Sequence, residues 1–345
     1  MALSMNARLP IPRLAKLAGL SEQATHTRVK ILEEKLGIKY LLETNLESLG
    51  YITYLVTIKF QDNIPTSKEI EETIMDENHI IFAATTKGEY DILMYLIDED
   101  PASANEHFVR LRYKEPLIKY KAIWNFGYIT KSLSFVPLNE TFIENILKNK
   151  IGSKSKDIFQ SHTGSLKHRE FLLLKELNSD SKVSFSDIDK KYNLNKGTSR
   201  YAYHNLKNKG LIVRPTISMT KAVAKYTGIL QIYNIDYEKI RANRYKFLLD
   251  LNEHGSVVDR CCLAGNIGSP NGAMGLFPLS YDFELEKTAE RVKDELQGSI
   301  VNTLIITGII KGELCYRRTD STYTKNYKVL TEMGKVTNKT QINYN

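Results

Sequence analysis

Cysteine is scarce: Cys261, Cys262 and Cys315 are all that 345 residues contain. That is too few to staple a secreted fold, and the spacing matches no metal-ligand pattern. Reduced thiols are the expected state. No apolar run reaches the ~18 residues that a membrane span needs, and the opening MALSMNARLPIP lacks the basic-then-apolar order of a signal peptide. The expectation is a cytoplasmic chain with no membrane partner. A glycine-rich phosphate loop, a nucleophile elbow and a metal-spaced His/Cys set are missing too. No catalytic residue, cofactor or metal site is therefore expected.

What is present is a chain with 42% hydrophobic and 26% charged residues and a net charge of +8. It can bury more than one core, and its charge suits an anionic partner such as nucleic acid without requiring one. The stretch LKNKIGSKSKDIFQSHTGSLKHRE (147–170) is rich in Lys, Ser and Gly and poor in apolar periodicity, which places a linker at 147–165.

Both sides of that linker read in the same order. In the first half, YITYLVTIKF (51–60) reads as a strand and SKEIEETIMDE as a helix. HIIFAATT and YDILMYLI are strands joined through Lys87, Gly88 and Glu89, SANEHFVRLRY is a helix, and Ile118 to Phe135 is β-rich. In the second half the same pattern runs through TGILQIYNI, DYEKIRANRYKFLLDLNEH, GSVVDRCCLAG, GAMGLFPLS, DFELEKTAERVKDEL and SIVNTLIITGII. Each half is a β-α-β-β-α-β unit, the ferredoxin-like order, and the repetition points to a fused duplication.

A helical pair precedes each unit. LAKLAGLSEQATHTRVKILEEKLGI (14–38) aligns with IDKKYNLNKGTSRYAYHNLKNKGLI (188–212). In each, a short helix ends at Gly19 or Asn193, Leu20 or Leu194 plugs the core, and Ser21 or Asn195 caps the next helix. Val29 and Leu32, like Tyr203 and Leu206, are placed on the buried side. That leaves Gln23, Thr25, His26 and Arg28 facing outward in one copy, and Lys196, Thr198, Ser199, Arg200, Tyr201 and His204 in the other. A helix-turn-helix presents such residues to the major groove; an αα-hairpin with a solvated polar face fits the same spacing. The segments KYLLETNL and VRPTISM stand where wing strands would.

The run NARLPIPRLAKLAGLSEQATHTRVKILEEKLGI resembles the N-terminal domain of the Lrp/AsnC (leucine-responsive regulatory protein and asparagine-operon regulator) family. ATTKGEYDILMYLIDED resembles the strand-turn-strand of its effector domain. The likeness covers most of residues 6–135, and residues 166–310 follow the plan more loosely. It implies an α+β chain with winged helix-turn-helix domains at 1–48 and 166–221, ferredoxin-like βαββαβ domains at 49–146 and 222–318, and a tail at 319–345. It also implies a transcriptional regulator that binds double-stranded DNA, assembles as an internal pseudo-dimer or higher homo-oligomer, and takes an amino acid or other small metabolite as effector. The family's effector contacts would fall at Gly88, Asp91 and Gly272, although both glycines also suit plain hairpins.

The family has a full helix ahead of NAR where this sequence has MALSM, so the first unit is expected to lack part of its core. Residues 188–212 carry Lys190, Lys191, Lys196, Arg200, Lys207 and Lys209 against Asp189, a net +5; residues 14–38 carry four basic and three acidic residues, a net +1. The second unit is the expected DNA reader. Two alternatives stand beside this reading: a sirohaem decarboxylase-like enzyme, which shares the plan, and a metabolite sensor that binds no DNA. Against the enzyme, His79, His107 and His254 are scattered along the chain.

Overall fold

The computed structural model describes residues 3, 6–132, 138, 140–152, 165–219, 226–233, 260–266, 272–279, 283–295 and 300–312. The helix expected at DYEKIRANRYKFLLDLNEH, the tail, and most of the linker lie outside them.

Helix α1 (Ile11–Ala18) opens at Pro10 and Pro12, whose fixed φ suits a first turn, and closes on Gly19 at φ 64°. Helix α2 (Glu22–Leu36) starts where the Ser21 hydroxyl accepts the Ala24 N–H at 3.2 Å. Strand β1 (Ile38–Thr44) follows. The first ferredoxin-like unit runs β2 (Ile52–Phe60), α3 (Ser67–Ile74), β3 (Ile80–Gly88), β4 (Ile92–Asp98), α4 (Pro101–Arg112) and β5 (Ala122–Ser132). Thr66 and Glu69 form a capping box on α3, and Asp100 accepts the Ala102 and Ser103 N–H groups to start α4.

The linker reading begins too early. Helix α5 (Glu140–Asn145) continues into a 3-10 turn over Leu147–Lys150. There Leu147 is fully buried, and the Lys150 ammonium sits 2.6 Å from the Glu99 carboxylate. Polar composition suggested a loop, but one buried leucine and one ion pair are enough to dock the segment.

The second half has α6 (His168–Ser179), α7 (Phe185–Lys191), α8 (Thr198–Asn208) and β6 (Ile212–Met219), then β7 (Tyr226–Tyr233), β8 (Arg260–Asn266), β9 (Gly272–Leu279), α9 (Phe283–Glu295) and β10 (Ile300–Lys311). The segments expected to be separate wings pair with each other. β1 and β6 form a two-stranded antiparallel sheet, Ile38 opposite Met219 and Glu43 opposite Arg214. The Arg214 guanidinium lies 2.5 Å from the Glu43 carboxylate.

The other eight strands close into a barrel in the order β10-β3-β4-β2-β5-β8-β9-β7. Within each half the order is that of a ferredoxin-like sheet. Each half's second strand pairs antiparallel with the other half's last: β3 with β10, and β5 with β8. Two glycines flank the β3·β10 seam. A Cβ on Gly88 (φ 132°) would run into the Thr303 carbonyl, and one on Gly312 (φ 78°) into the Ile81 carbonyl.

Alternation along the strands sorts the core. Tyr54, Val56, Ile58 and Phe60 of β2 cluster with Ile70 and Ile74 of α3 and Phe108 and Leu111 of α4. Leu55, Leu93, Tyr95 and Ile97 cluster instead with Ile229 and Leu304 of the second half and with Leu174, Leu177, Ala202 and Leu206 of its helical unit. No described helix is long and apolar enough to cross a membrane.

Candidate nucleic-acid interface

Helix α8 is held on its inner side and open on its outer. Ala202 and Leu206 are fully buried against α6 and α7, while Lys196, Arg200, Tyr201 and His204 are exposed and Thr198 is half-buried. The helix begins at Gly197 rather than Asn195, and the cap comes from elsewhere: buried Asp189 of α7 accepts the N–H groups of Gly197 and Ser199, both at 2.8 Å. Burial alone would raise the Asp189 pKa, but the bonds from Ser199 and Gly197 outweigh it and hold the carboxyl below its ordinary value. Ser199, expected to face outward, is buried. It stands three and seven residues before Ala202 and Leu206, on the same face.

Ion pairing thins the basic surface. Lys191 pairs with Glu176 at 2.8 Å and Lys209 with Glu170 at 3.1 Å. Lys190, Lys196, Arg200 and Lys207 are exposed and make no ion pair among the described residues. The Arg169 guanidinium lies 5.3 Å over the ring of Tyr201, at the same outer surface. Sequence reasoning missed Arg169 and the capping role of Asp189, because both contacts bridge separate helices.

Helix α2 is held less firmly. Gln23, His26 and Arg28 are exposed, but Thr25 is buried, since it shares a face with Val29, which packs in the cluster of Leu14, Ala7 and Ile217. Leu32, expected to be buried, is 43% exposed beside Ile31 at 41%. The two units are locked together. Arg8 donates to the Ser181 and Val183 carbonyls at 2.6 and 2.8 Å and lies over the Phe185 ring, and the Ser181 N–H donates to the Tyr40 carbonyl at 2.9 Å. Lys182 pairs with Glu33 of α2. The separation of α2 and α8 is thereby fixed by contacts as well as by the chain.

The expected effector residues serve the fold. Gly88 pairs with Leu304 in the barrel seam, and its missing side chain admits the backbone of β10. The Asp91 carboxylate is already engaged, accepting from the Lys59 ammonium at 2.9 Å and the Phe60 N–H at 2.8 Å. Gly272 pairs with Tyr233 of β7. Strands β7 and β10 stand between it and Gly88 in the barrel order, so the two glycines do not form one site.

No protein-family model matches the chain. The HTH-type transcriptional regulator LrpA of Pyrococcus abyssi is 35% identical over 100 residues, 28% of this chain and 70% of that protein. The chain belongs to the Lrp/AsnC family. The LrpA of Pyrococcus horikoshii matches this Lrp/AsnC chain to the same extent. Over the whole length, the crystal structure of the siroheme decarboxylase NirDL superposes with a TM-score of 0.58, covering 97% of each chain at 13% identity. That likeness is one of fold. It extends the helix-turn-helix plus ferredoxin-like plan of the Lrp/AsnC family through both halves.

Proposed function

We propose that the chain is a cytoplasmic, DNA-binding transcriptional regulator in which α8 is the principal reader and α2 an auxiliary one. The observation that carries this is the outer face of α8. Arg200, Tyr201 and His204 stand exposed on a helix whose inner face is packed and whose start is fixed by Asp189, and Lys196 stands exposed in the turn just before it. Lys190 and Lys207 flank them. Phosphate neutralisation supplies affinity, while Arg200 and His204 have the donors to read base edges. The closed barrel supports an internal pseudo-dimer, one chain supplying what two subunits supply in single-copy regulators. An amino acid or other small metabolite remains the class of effector to screen, at a site other than Gly88 and Gly272.

Salt-dependent binding to the DNA upstream of the chain's own gene tests the reading. Replacing Lys196 and Arg200 together with Ala should weaken binding and lower the salt slope by roughly one to two units. Arg28→Ala with Gln23→Ala should do less. Equal losses from the two pairs would overturn the assignment of α8.

A second reading is favoured by one observation: a solved structure that covers 97% of this chain, at a TM-score of 0.58, is that of a siroheme decarboxylase. On that reading the two-halved barrel holds a tetrapyrrole. An absorption spectrum of the purified chain with added sirohaem separates the readings, since a bound tetrapyrrole shifts its visible bands and a pure DNA reader leaves them unchanged.

A further inference from the structure

His79 immediately precedes β3, Asp98 ends β4 and His107 lies in the middle of α4. Scattered along the sequence, they meet in the fold. The β3/β4 register carries His79 beside Ile97, whose N–H donates to the His79 carbonyl at 2.8 Å. The Asp100 cap then turns α4 back so that His107 comes down on the same place, its ring centroid 3.8 Å from that of His79. Asp98 is buried beneath both. One of its oxygens accepts the Glu99 N–H at 2.8 Å; the other lies 2.5 Å from His107 Nδ1 and 3.5 Å from His79 Nδ1.

We propose that His79, Asp98 and His107 form a binding site for a divalent transition-metal ion of the zinc class. A nitrogen of each ring and a carboxylate oxygen lie within 4.8 Å of one another. Bonds of ~2.0–2.2 Å to a tetrahedral ion need ligand atoms about 3.3–3.6 Å apart, so small side-chain rotations bring the three into place. Two imidazoles and one carboxylate select zinc, cobalt or nickel over magnesium or calcium, which prefer oxygen alone. His79 Nδ1 lies 2.9 Å from the Ile97 carbonyl, the kind of outer bond that fixes a ligating imidazole and leaves Nε2 free for a metal. The rings keep a path to solvent, their side chains being 18% and 21% exposed. The nearby cation Arg110 is turned away to Glu77 at 3.2 Å. Three protein ligands leave a fourth position for water or a small anion.

The site stands independently of the DNA-binding reading. The full chain, stripped with a chelator, is titrated with Co2+ and followed by visible absorption. The expected result is a single class of tight binding with the intense bands of a four- or five-coordinate ion, abolished by competing Zn2+. His79→Gln and His107→Gln should each weaken it by about tenfold or more, while circular dichroism reports whether either variant is folded. A Zn2+-dependent rise in wild-type melting temperature that both variants lose gives a second readout. Absence of tight Co2+ binding by the folded wild type, or binding that survives both substitutions, would leave the cluster a hydrogen-bonded histidine-aspartate chain and overturn the proposal.

Discussion

At Gly88 the side chain that is missing matters more than any that is present. The backbone is held at φ 132°, and the space a Cβ would fill belongs to the Thr303 carbonyl of the neighbouring strand. Gly88→Ala should therefore cost about 2 kcal/mol or more, read as a lower denaturation midpoint in urea, with Gly312→Ala behaving alike. Asp189 makes the opposite case, a side chain that acts on backbone. Asp189→Ala strands the N–H groups of Gly197 and Ser199 and should cost about 1–3 kcal/mol. The pH dependence follows from its depressed pKa. The stabilisation is fully present above the unfolded-state value of ~3.9 and is lost as pH falls through the lower folded-state value. Stability measured between pH 6 and pH 2 should fall less steeply in Asp189→Ala than in the wild type.

Among the elements, the β1/β6 pair joins the two helix-turn-helix units through a largely buried ion pair. Arg214→Met should leave the Glu43 carboxylate without that partner and destabilise the chain by about 3 kcal/mol. Combining it with Glu43→Leu should recover much of the loss, as chemical denaturation of the single and double variants will show. Most elements were legible from periodicity and composition: α2 from its Ser21 cap and apolar stripe, α4 from the run SANEHFVRLRY, and the strands from their β-branched and apolar runs. Pairing was not. A wing strand and a strand that reaches another unit look the same in sequence, so the β1/β6 sheet went unread. The site was legible in outline only. The exposed residues of α8 follow from helical phase, yet Thr25 and Ser199 were misplaced because an error of one residue, about 100° around the axis, moves a side chain from the outer face to the core. His79, Asp98 and His107 were hidden because their meeting depends on a hairpin register and a helix cap together.

For the whole molecule, closure of the barrel is the governing fact. Each half alone would expose two long strand edges, β3 and β5 in the first. A fragment ending at residue 165 should therefore self-associate or aggregate; sedimentation that finds a well-behaved monomer would show that the halves do not need each other. In the intact chain those edges are filled by β10 and β8 of the same polypeptide. A defective copy made in the same cell thus has no seat in the barrel of an intact one. Alleles that ruin one copy are recessive through this interface, whereas a barrel assembled from separate subunits lets one bad subunit disable its partner.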